Sequence, residues 1–100
     1  MEKMKSISQT ELKKLIQKGQ KILLIDVRSS EEYEKQHIPD AINISLEQLE
    51  KGALNIEKDT IIVTACGKGG GRSENASNYI RHNYNLTVYF LDGGTFGWFD

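Results

Sequence analysis

Short runs of apolar and β-branched residues recur along the 100-residue chain and predict five β-strands. The most hydrophobic run, at 21–26 (KILLID), is unbroken, which is typical of a strand buried on both faces of a sheet. The runs at 41–44, 60–64 (TIIVT) and 87–91 (TVYFL) predict three more strands, and Ile7 predicts a short edge strand. Polar segments of helical length separate most of these runs, so strands and helices are expected to alternate.

Polar start signals mark the predicted helices. Three are capping boxes, in which a serine is followed three residues later by glutamate or glutamine, and they begin at Ser8, Ser29 and Ser45. The first helix is predicted to end near Gly19 and the second to be broken by Pro39. This alternation predicts an α/β fold with a small central parallel sheet of about five strands and helices on both faces, with residues 1–100 forming one domain.

The composition excludes several classes of function but does not assign one. Thirteen basic against 14 acidic residues give a net charge of −1, so neither nucleic acid nor an anionic membrane is a predicted partner. No apolar run is long enough to span a bilayer and none follows the charged start of the chain, so we expect a cytoplasmic protein. Its one cysteine, Cys66, forms no internal disulfide, and His37 and His82 lie far apart, so no metal site is predicted.

The strongest chemical feature is the segment that follows the strand at 60–64. Sites in parallel sheets lie at the carboxyl ends of strands, where Asp26 and Cys66 both fall. Between Cys66 and Arg72 lie Gly67, Lys68, Gly69, Gly70 and Gly71. Such a glycine-rich loop entering a helix can turn several backbone N–H groups toward one point and bind an anion. The same field lowers the pKa of a cysteine thiol below its free value of about 8.5, which favours the reactive thiolate.

Each part of this loop also has a purely structural interpretation. A lone cysteine is often a small buried apolar residue, and a glycine run is often only a turn. Their combination with Lys68 and Arg72 at a strand-to-helix junction favours a reactive site instead. A nucleotide-binding P-loop does not fit, because Lys68 precedes three glycines rather than following them.

Three motifs together resemble the rhodanese family of sulfurtransferases over nearly the whole chain. They are residues 24–28 (LIDVR) with the later Glu32-Tyr33 and HIPDAIN at 37–43, the loop that begins at Cys66, and residues 91–98 (LDGGTFGW). The resemblance implies that Cys66 takes a sulfane sulfur from a small anionic donor such as thiosulfate and passes it from a persulfide to a thiol or protein acceptor. It implies substrate binding by the backbone amides of residues 67–72, with Lys68 and Arg72 favouring thiosulfate over mercaptopyruvate.

The loop departs from the family pattern in its length. Five residues separate Cys66 from Arg72, whereas rhodaneses that carry this arginine commonly have four, and five is the spacing of cysteine-dependent phosphatases and arsenate reductases on the same fold. Such an enzyme is therefore the alternative, although Ala65 stands where those phosphatases usually have histidine. A sulfur-relay carrier or a regulatory binding domain is the second alternative. Gln36 and Asp40 occupy positions where the family usually has glycine.

Five further residues receive predictions. Asp26 is expected either to orient the loop or pair with Arg28, or to cap a turn. Arg28 is expected to form a structural salt bridge rather than to contact substrate, and His37 to fix its loop by a hydrogen bond. Phe96 and Trp98 are expected to pack the last helix rather than line a substrate mouth.

Overall fold

The five predicted strands pair as one parallel sheet in a computed structural model, which describes residues 6–52, 59–67, 71–84 and 86–99. The spatial order is β1-β5-β4-β2-β3. The strands are β1 Ser6–Ile7, β2 Ile22–Asp26, β3 Ile42–Asn43, β4 Ile61–Ala65 and β5 Val88–Leu91. The short β1 and β3 lie at the two edges, and the apolar β2 and β4 lie inside, as their composition predicts.

Five helices connect or follow the strands in the described parts of the chain. They are α1 Gln9–Gln17, α2 Ser30–Lys35, α3 Leu46–Glu50, α4 Gly71–Tyr84 and α5 Gly94–Trp98. The three predicted capping boxes are confirmed, since Ser8, Ser29 and Ser45 each exchange hydrogen bonds with the third residue of the helix that follows. None of these helices is both long and apolar enough to cross a bilayer.

The sheet buries apolar side chains against helices on both faces. Alternate strand residues such as Ile25 and Ile62 pack with Leu49 of α3 and Ile80 of α4. The intervening residues, among them Val63, belong to a second cluster on the opposite face. That cluster also contains Leu12, Leu24 and Leu91, with Trp98 packed against it. The predicted α/β architecture with helices on both faces is confirmed.

The carboxyl ends of three strands are aligned in one row. Asp26 of β2 pairs with Asn43 of β3 on one side and with Ala65 of β4 on the other. The observed β4 is shifted by one residue from the predicted 60–64, so Cys66 comes directly after the strand. The row therefore places Asp26, Asn43 and Cys66 at the same edge of the sheet.

Helix α2 ends earlier than its proline alone requires. Its last residue is Lys35, and Gln36 already has extended backbone angles. The carbonyl of Gln36 accepts a hydrogen bond of 2.5 Å from Nη2 of Arg28. We attribute the early end of α2 to this bond, because it directs the Gln36 carbonyl toward the sheet.

A tight turn after α2 contains the one non-glycine residue with positive φ in the described chain. The Ala41 N–H donates to the Ile38 carbonyl, at 3.0 Å, so that Pro39 and Asp40 occupy the central positions. Asp40 has φ +70°, as the third residue of a type II turn requires. This position favours glycine, and aspartate tolerates it better than most residues.

We predict that Asp40→Gly stabilises the fold and that Asp40→Val destabilises it. Glycine removes the left-handed strain and should raise the free energy of unfolding by about 0.5–1 kcal/mol, whereas valine should lower it by about 1 kcal/mol. Urea unfolding of the three chains measures both changes. Asp40→Asn is the control and should leave stability nearly unchanged, and a valine variant as stable as the glycine variant would contradict the assigned turn.

Candidate active site

The thiol of Cys66 is almost buried at the carboxyl end of β4. The residue is 4% exposed, and its Sγ lies 3.3 Å from Oγ of Ser73 in the first turn of α4. The Ser73 carbonyl in turn accepts a hydrogen bond of 2.8 Å from Oγ1 of Thr64 in β4. Strand and helix are thereby held together at the point where the thiol lies.

The start of α4 gives this thiol an environment that favours negative charge. The helix is 14 residues long and begins at Gly71, so the positive end of its dipole is close to Ser73. A hydroxyl beside a thiolate can donate a hydrogen bond to it. Low-pKa cysteines occur at helix N-termini for these reasons.

The Asp92–Gly94 turn fixes the backbone of Cys66 from the opposite side. Gly93 and Gly94 have φ values of +80° and +59°, which glycine adopts without strain. The turn starts α5, and the Thr95 N–H donates to the Cys66 carbonyl at 2.7 Å. The Phe96 N–H donates to the Gly67 carbonyl at 3.0 Å. The glycine pair of the third motif thus makes the turn after which two backbone N–H groups bind the loop.

The Phe96 ring lies against Gly67. A Cβ built on Gly67 would stand 3.0 Å from Cε2 of Phe96, so this position suits glycine. Phe96 is 46% exposed, and the expectation that it packs the last helix is therefore wrong. The same expectation is confirmed for Trp98, which is half-buried against the apolar cluster beneath α1 and α5.

Asp26 and Arg28 form a buried ion pair next to the loop. The side chains are 1% and 2% exposed, and Nη2 of Arg28 lies 2.7 Å from Oδ2 of Asp26. Oδ1 of Asp26 accepts from Nε and from the backbone N–H of Arg28, both at 3.0 Å. The structural salt bridge predicted for Arg28, and the pairing considered for Asp26, are both present.

Other groups complete the network around this pair. Asn43 donates from Nδ2 to the carbonyls of Asp26 and Arg28, at 3.0 and 2.9 Å. Arg28 also donates to the Gln36 carbonyl, and its Cζ lies 5.8 Å from the centroid of the Phe96 ring. The pair therefore links the ends of β2 and β3, the end of α2, and the aromatic ring beside Gly67.

Arg72 reaches across the site to α2 and binds Glu32. Nη1 and Nη2 donate to the two carboxylate oxygens at 2.9 and 3.3 Å. The hydrogen bond from Arg72 is the largest cause that lowers the pKa of Glu32 to about 2. The pKa of Arg72 is raised, first by Glu32 and further by the charges of Cys66 and Asp26. The arginine is therefore within electrostatic reach of the thiol while paired elsewhere.

Six of the nine candidate residues lie in the described structure. Cys66 and Gly67 follow β4, Asp26 and Arg28 flank them, and Gly71 and Arg72 begin α4. Lys68, Gly69 and Gly70 lie outside the described residues. The binding roles predicted for residues 67–72 remain predictions.

A cleft of about 460 Å³ opens beside this cluster. It is lined by Arg28, Glu32, Lys35, Gln36 and Phe96. Two of its walls contact the cysteine loop, because Phe96 lies on Gly67 and Glu32 binds Arg72. In the described part of the chain, no three His, Cys, Asp or Glu side chains are grouped to hold a metal ion.

Several contributors to the site were not predicted from sequence. The roles of Ser73 and Asn43 and the pairing of Glu32 with Arg72 emerge only from the structure. The sequence assigns Glu32 to a capping box and to the first motif, and neither signal indicates a contact with Arg72. The loop hydrogen bond predicted for His37 is present, since its Nδ1 lies 2.8 Å from the Tyr33 carbonyl and its ring stacks on that of Tyr33.

Comparisons with known proteins identify a family of similar domains. The family model of the rhodanese-like domain matches residues 8–100. The chain is 33% identical to a putative sulfurtransferase, YtwF, of Bacillus subtilis, over 94% of this chain and 89% of the relative. It is 29% identical to the thiosulfate sulfurtransferase GlpE of Coxiella burnetii, over 94% and 86% of the two chains.

A solved structure extends the similarity to the fold. The rhodanese-like domain protein of Staphylococcus aureus superposes with a TM-score of 0.82 at 28% identity. The match covers 95% of this chain and 91% of that one. The resemblance stated from the three sequence motifs is confirmed.

We predict that Arg28→Met lowers the free energy of unfolding by about 3–5 kcal/mol, because it leaves the buried Asp26 carboxylate without its partner. Urea unfolding measures the loss. Lys35→Met, which removes an exposed cation near the same cleft, is the matched control and should change stability by less than about 0.5 kcal/mol. Equal effects of the two substitutions would contradict the importance of the ion pair.

We predict that Ser73→Ala makes the Cys66 thiolate harder to form. Loss of one hydrogen bond to the charged sulfur should raise the pH midpoint of Cys66 alkylation by about one unit. The midpoint is read from the rate of iodoacetamide labelling against pH. Ser77→Ala, a buried serine of the same helix, should leave it unchanged, and an unshifted midpoint in Ser73→Ala would remove Ser73 from the site.

Proposed function

The chain belongs to the rhodanese-like domain family, and we propose that it is a sulfurtransferase in which Cys66 carries the transferred sulfur. The observation that carries this proposal is the Cys66 thiol itself, held between the end of β4 and the start of α4 with Ser73 at 3.3 Å. A thiolate at this place is a nucleophile with a positive helix end beside it. The sulfurtransferases among its relatives support the same reaction class.

In the first half-reaction, the Cys66 thiolate attacks the outer sulfur of thiosulfate. A new sulfur–sulfur bond forms to Cys66 while the sulfur–sulfur bond of thiosulfate breaks, and sulfite leaves with that bond's electron pair. The product is a negatively charged Cys66 persulfide. We propose that the Ser73 hydroxyl, the N-terminal end of α4 and the backbone amides of residues 67–72 stabilise this charge.

In the second half-reaction, a nucleophilic acceptor attacks the terminal sulfur of the persulfide. A thiol or cyanide takes that sulfur atom, and the electron pair of the broken bond returns to Cys66 as thiolate. The cycle is redox-neutral and requires neither a metal nor an organic cofactor. Because donor and acceptor react in separate steps on one cysteine, ping-pong kinetics are expected.

Asp26 and Arg28 have a supporting role in this proposal. Both are nearly inaccessible and bind each other, which supports a structural role for the pair rather than direct binding of the donor. They hold the end of β2 and, through Phe96, the wall beside Gly67. The donor and acceptor used in the cell, and the cytoplasmic location expected from the sequence, stay predictions.

The spacing from Cys66 to Arg72 favours a phosphatase or arsenate reductase as the second candidate. Such enzymes use the arginine to bind the oxyanion with two hydrogen bonds. Here the guanidinium is already engaged by Glu32, which argues against that use. A carrier that passes sulfur to another protein would share the Cys66 chemistry and differ only in its acceptor.

The proposal predicts thiocyanate formation from thiosulfate and cyanide that depends on Cys66. Initial rates measured against both substrates should give the parallel double-reciprocal lines of a ping-pong reaction. Cys66→Ser should abolish turnover while unfolding at a similar urea concentration. Arg72→Ala should reduce the rate far less than Cys66→Ser.

Two results would contradict the proposal. One is the absence of thiocyanate at any thiosulfate concentration from reduced, folded protein. The other is hydrolysis of an aryl phosphate, or thiol-coupled arsenate reduction, that depends on both Cys66 and Arg72. The second result would establish the alternative function.

A further inference from the structure

The two hydrogen bonds from Arg72 to Glu32 occupy the Nη1/Nη2 edge of the guanidinium, one of the two edges through which it can bind an oxyanion. Their lengths are 2.9 and 3.3 Å, one to each carboxylate oxygen. Arginine binds carboxylates, sulfates and phosphates with this same two-pronged geometry. An anion that binds through this Nη1/Nη2 edge must therefore displace Glu32.

Glu32 is held in place before any anion arrives. It is the third residue of α2, and its Oε1 accepts from the backbone N–H of Ser29 at 3.2 Å and from the Ser29 hydroxyl at 3.1 Å. The lowered pKa of Glu32, about 2, keeps the carboxylate charged at neutral pH. Protonation of Glu32 therefore does not release Arg72 near neutral pH.

The pair lies beside the cysteine loop rather than on a remote surface. Glu32 lines the cleft together with Lys35 and Phe96. Arg72 immediately precedes Ser73, the partner of the Cys66 thiol, and its pKa is raised in part by the charge of Cys66. At 54% and 38% side-chain exposure, the two members remain open enough to separate.

We propose that Glu32 is a specificity-determining residue that withholds Arg72 from incoming oxyanions. With Glu32 in place, small inorganic dianions bind the Cys66 site weakly. Tetrahedral oxyanions such as phosphate and arsenate are disfavoured most, because their recognition depends on a free arginine. The spacing from Cys66 to Arg72 is that of a phosphatase, but the Glu32 carboxylate occupies the arginine.

The test is an NMR titration of the whole isotope-labelled chain with inorganic sulfate and then phosphate, following the backbone amides of Gly67 and Gly71. Glu32→Gln should lower the dissociation constant of both anions by about threefold, because an exposed charge-assisted pair is weakened and Arg72 becomes available. Glutamine keeps a side-chain oxygen for the Ser29 capping box. Glu34→Gln, an exposed glutamate of the same helix, is the matched control and should leave both constants unchanged.

A double-mutant cycle separates withholding of Arg72 from simple charge repulsion. If Glu32 acts by occupying Arg72, the gain caused by Glu32→Gln disappears in an Arg72→Gln background. If the same gain persists there, Glu32 only repels anions and the proposal is overturned. Equal anion affinity in the original chain and in Glu32→Gln overturns it as well.

Only one measurement that tests this inference, the KM for thiosulfate, rests on the proposed function. If thiosulfate is the donor, Glu32→Gln should lower its KM while kcat stays nearly constant. Anion binding needs no sulfur transfer, so the two ideas can fail separately. A chain that forms no thiocyanate but shows the gain in affinity contradicts the proposed function alone, and the reverse result contradicts the role of Glu32 alone.

Discussion

The buried ion pair between Asp26 and Arg28 is the constraint on which this site depends. Two charges that are almost completely withdrawn from water are tolerated only when every polar group around them is satisfied. Meeting that condition recruits the side chain of Asn43 and the carbonyl of Gln36. Burial of the pair therefore costs desolvation energy. The same pair links the ends of two strands and one helix beside the cysteine loop.

The thiol of Cys66 lies beside these linked elements, near the first residues of helices α4 and α5. Helix α4 brings Ser73 and its positive end to the sulfur, and α5 holds the carbonyls of Cys66 and Gly67. Backbone contacts thus position the thiol, and in the proposed reaction a hydroxyl and a helix end make it reactive. Arg72 adds charge nearby but is bound to Glu32, so the proposed control of anion binding is separable from the proposed chemistry of the sulfur.

Much of the fold was predictable because it follows from local rules. The capping boxes at Ser8, Ser29 and Ser45 and the apolar strand runs depend on neighbours within a few residues. Contacts between segments that are distant in the chain were harder to predict. The hydrogen bond from Arg72 to Glu32 joins residues 40 positions apart, and no local sequence pattern predicts it. Phe96 was misjudged for the same reason, since only the packed structure brings its ring over Gly67.

The central claim is that Cys66 itself carries sulfur, and peptide mass spectrometry tests it most directly. The reduced chain is treated with thiosulfate, capped with iodoacetamide and digested, and the peptide containing Cys66 is fragmented. Our account predicts one added sulfur atom between Cys66 and the cap, removed by cyanide before capping. A peptide that carries only the cap at every thiosulfate concentration would contradict it.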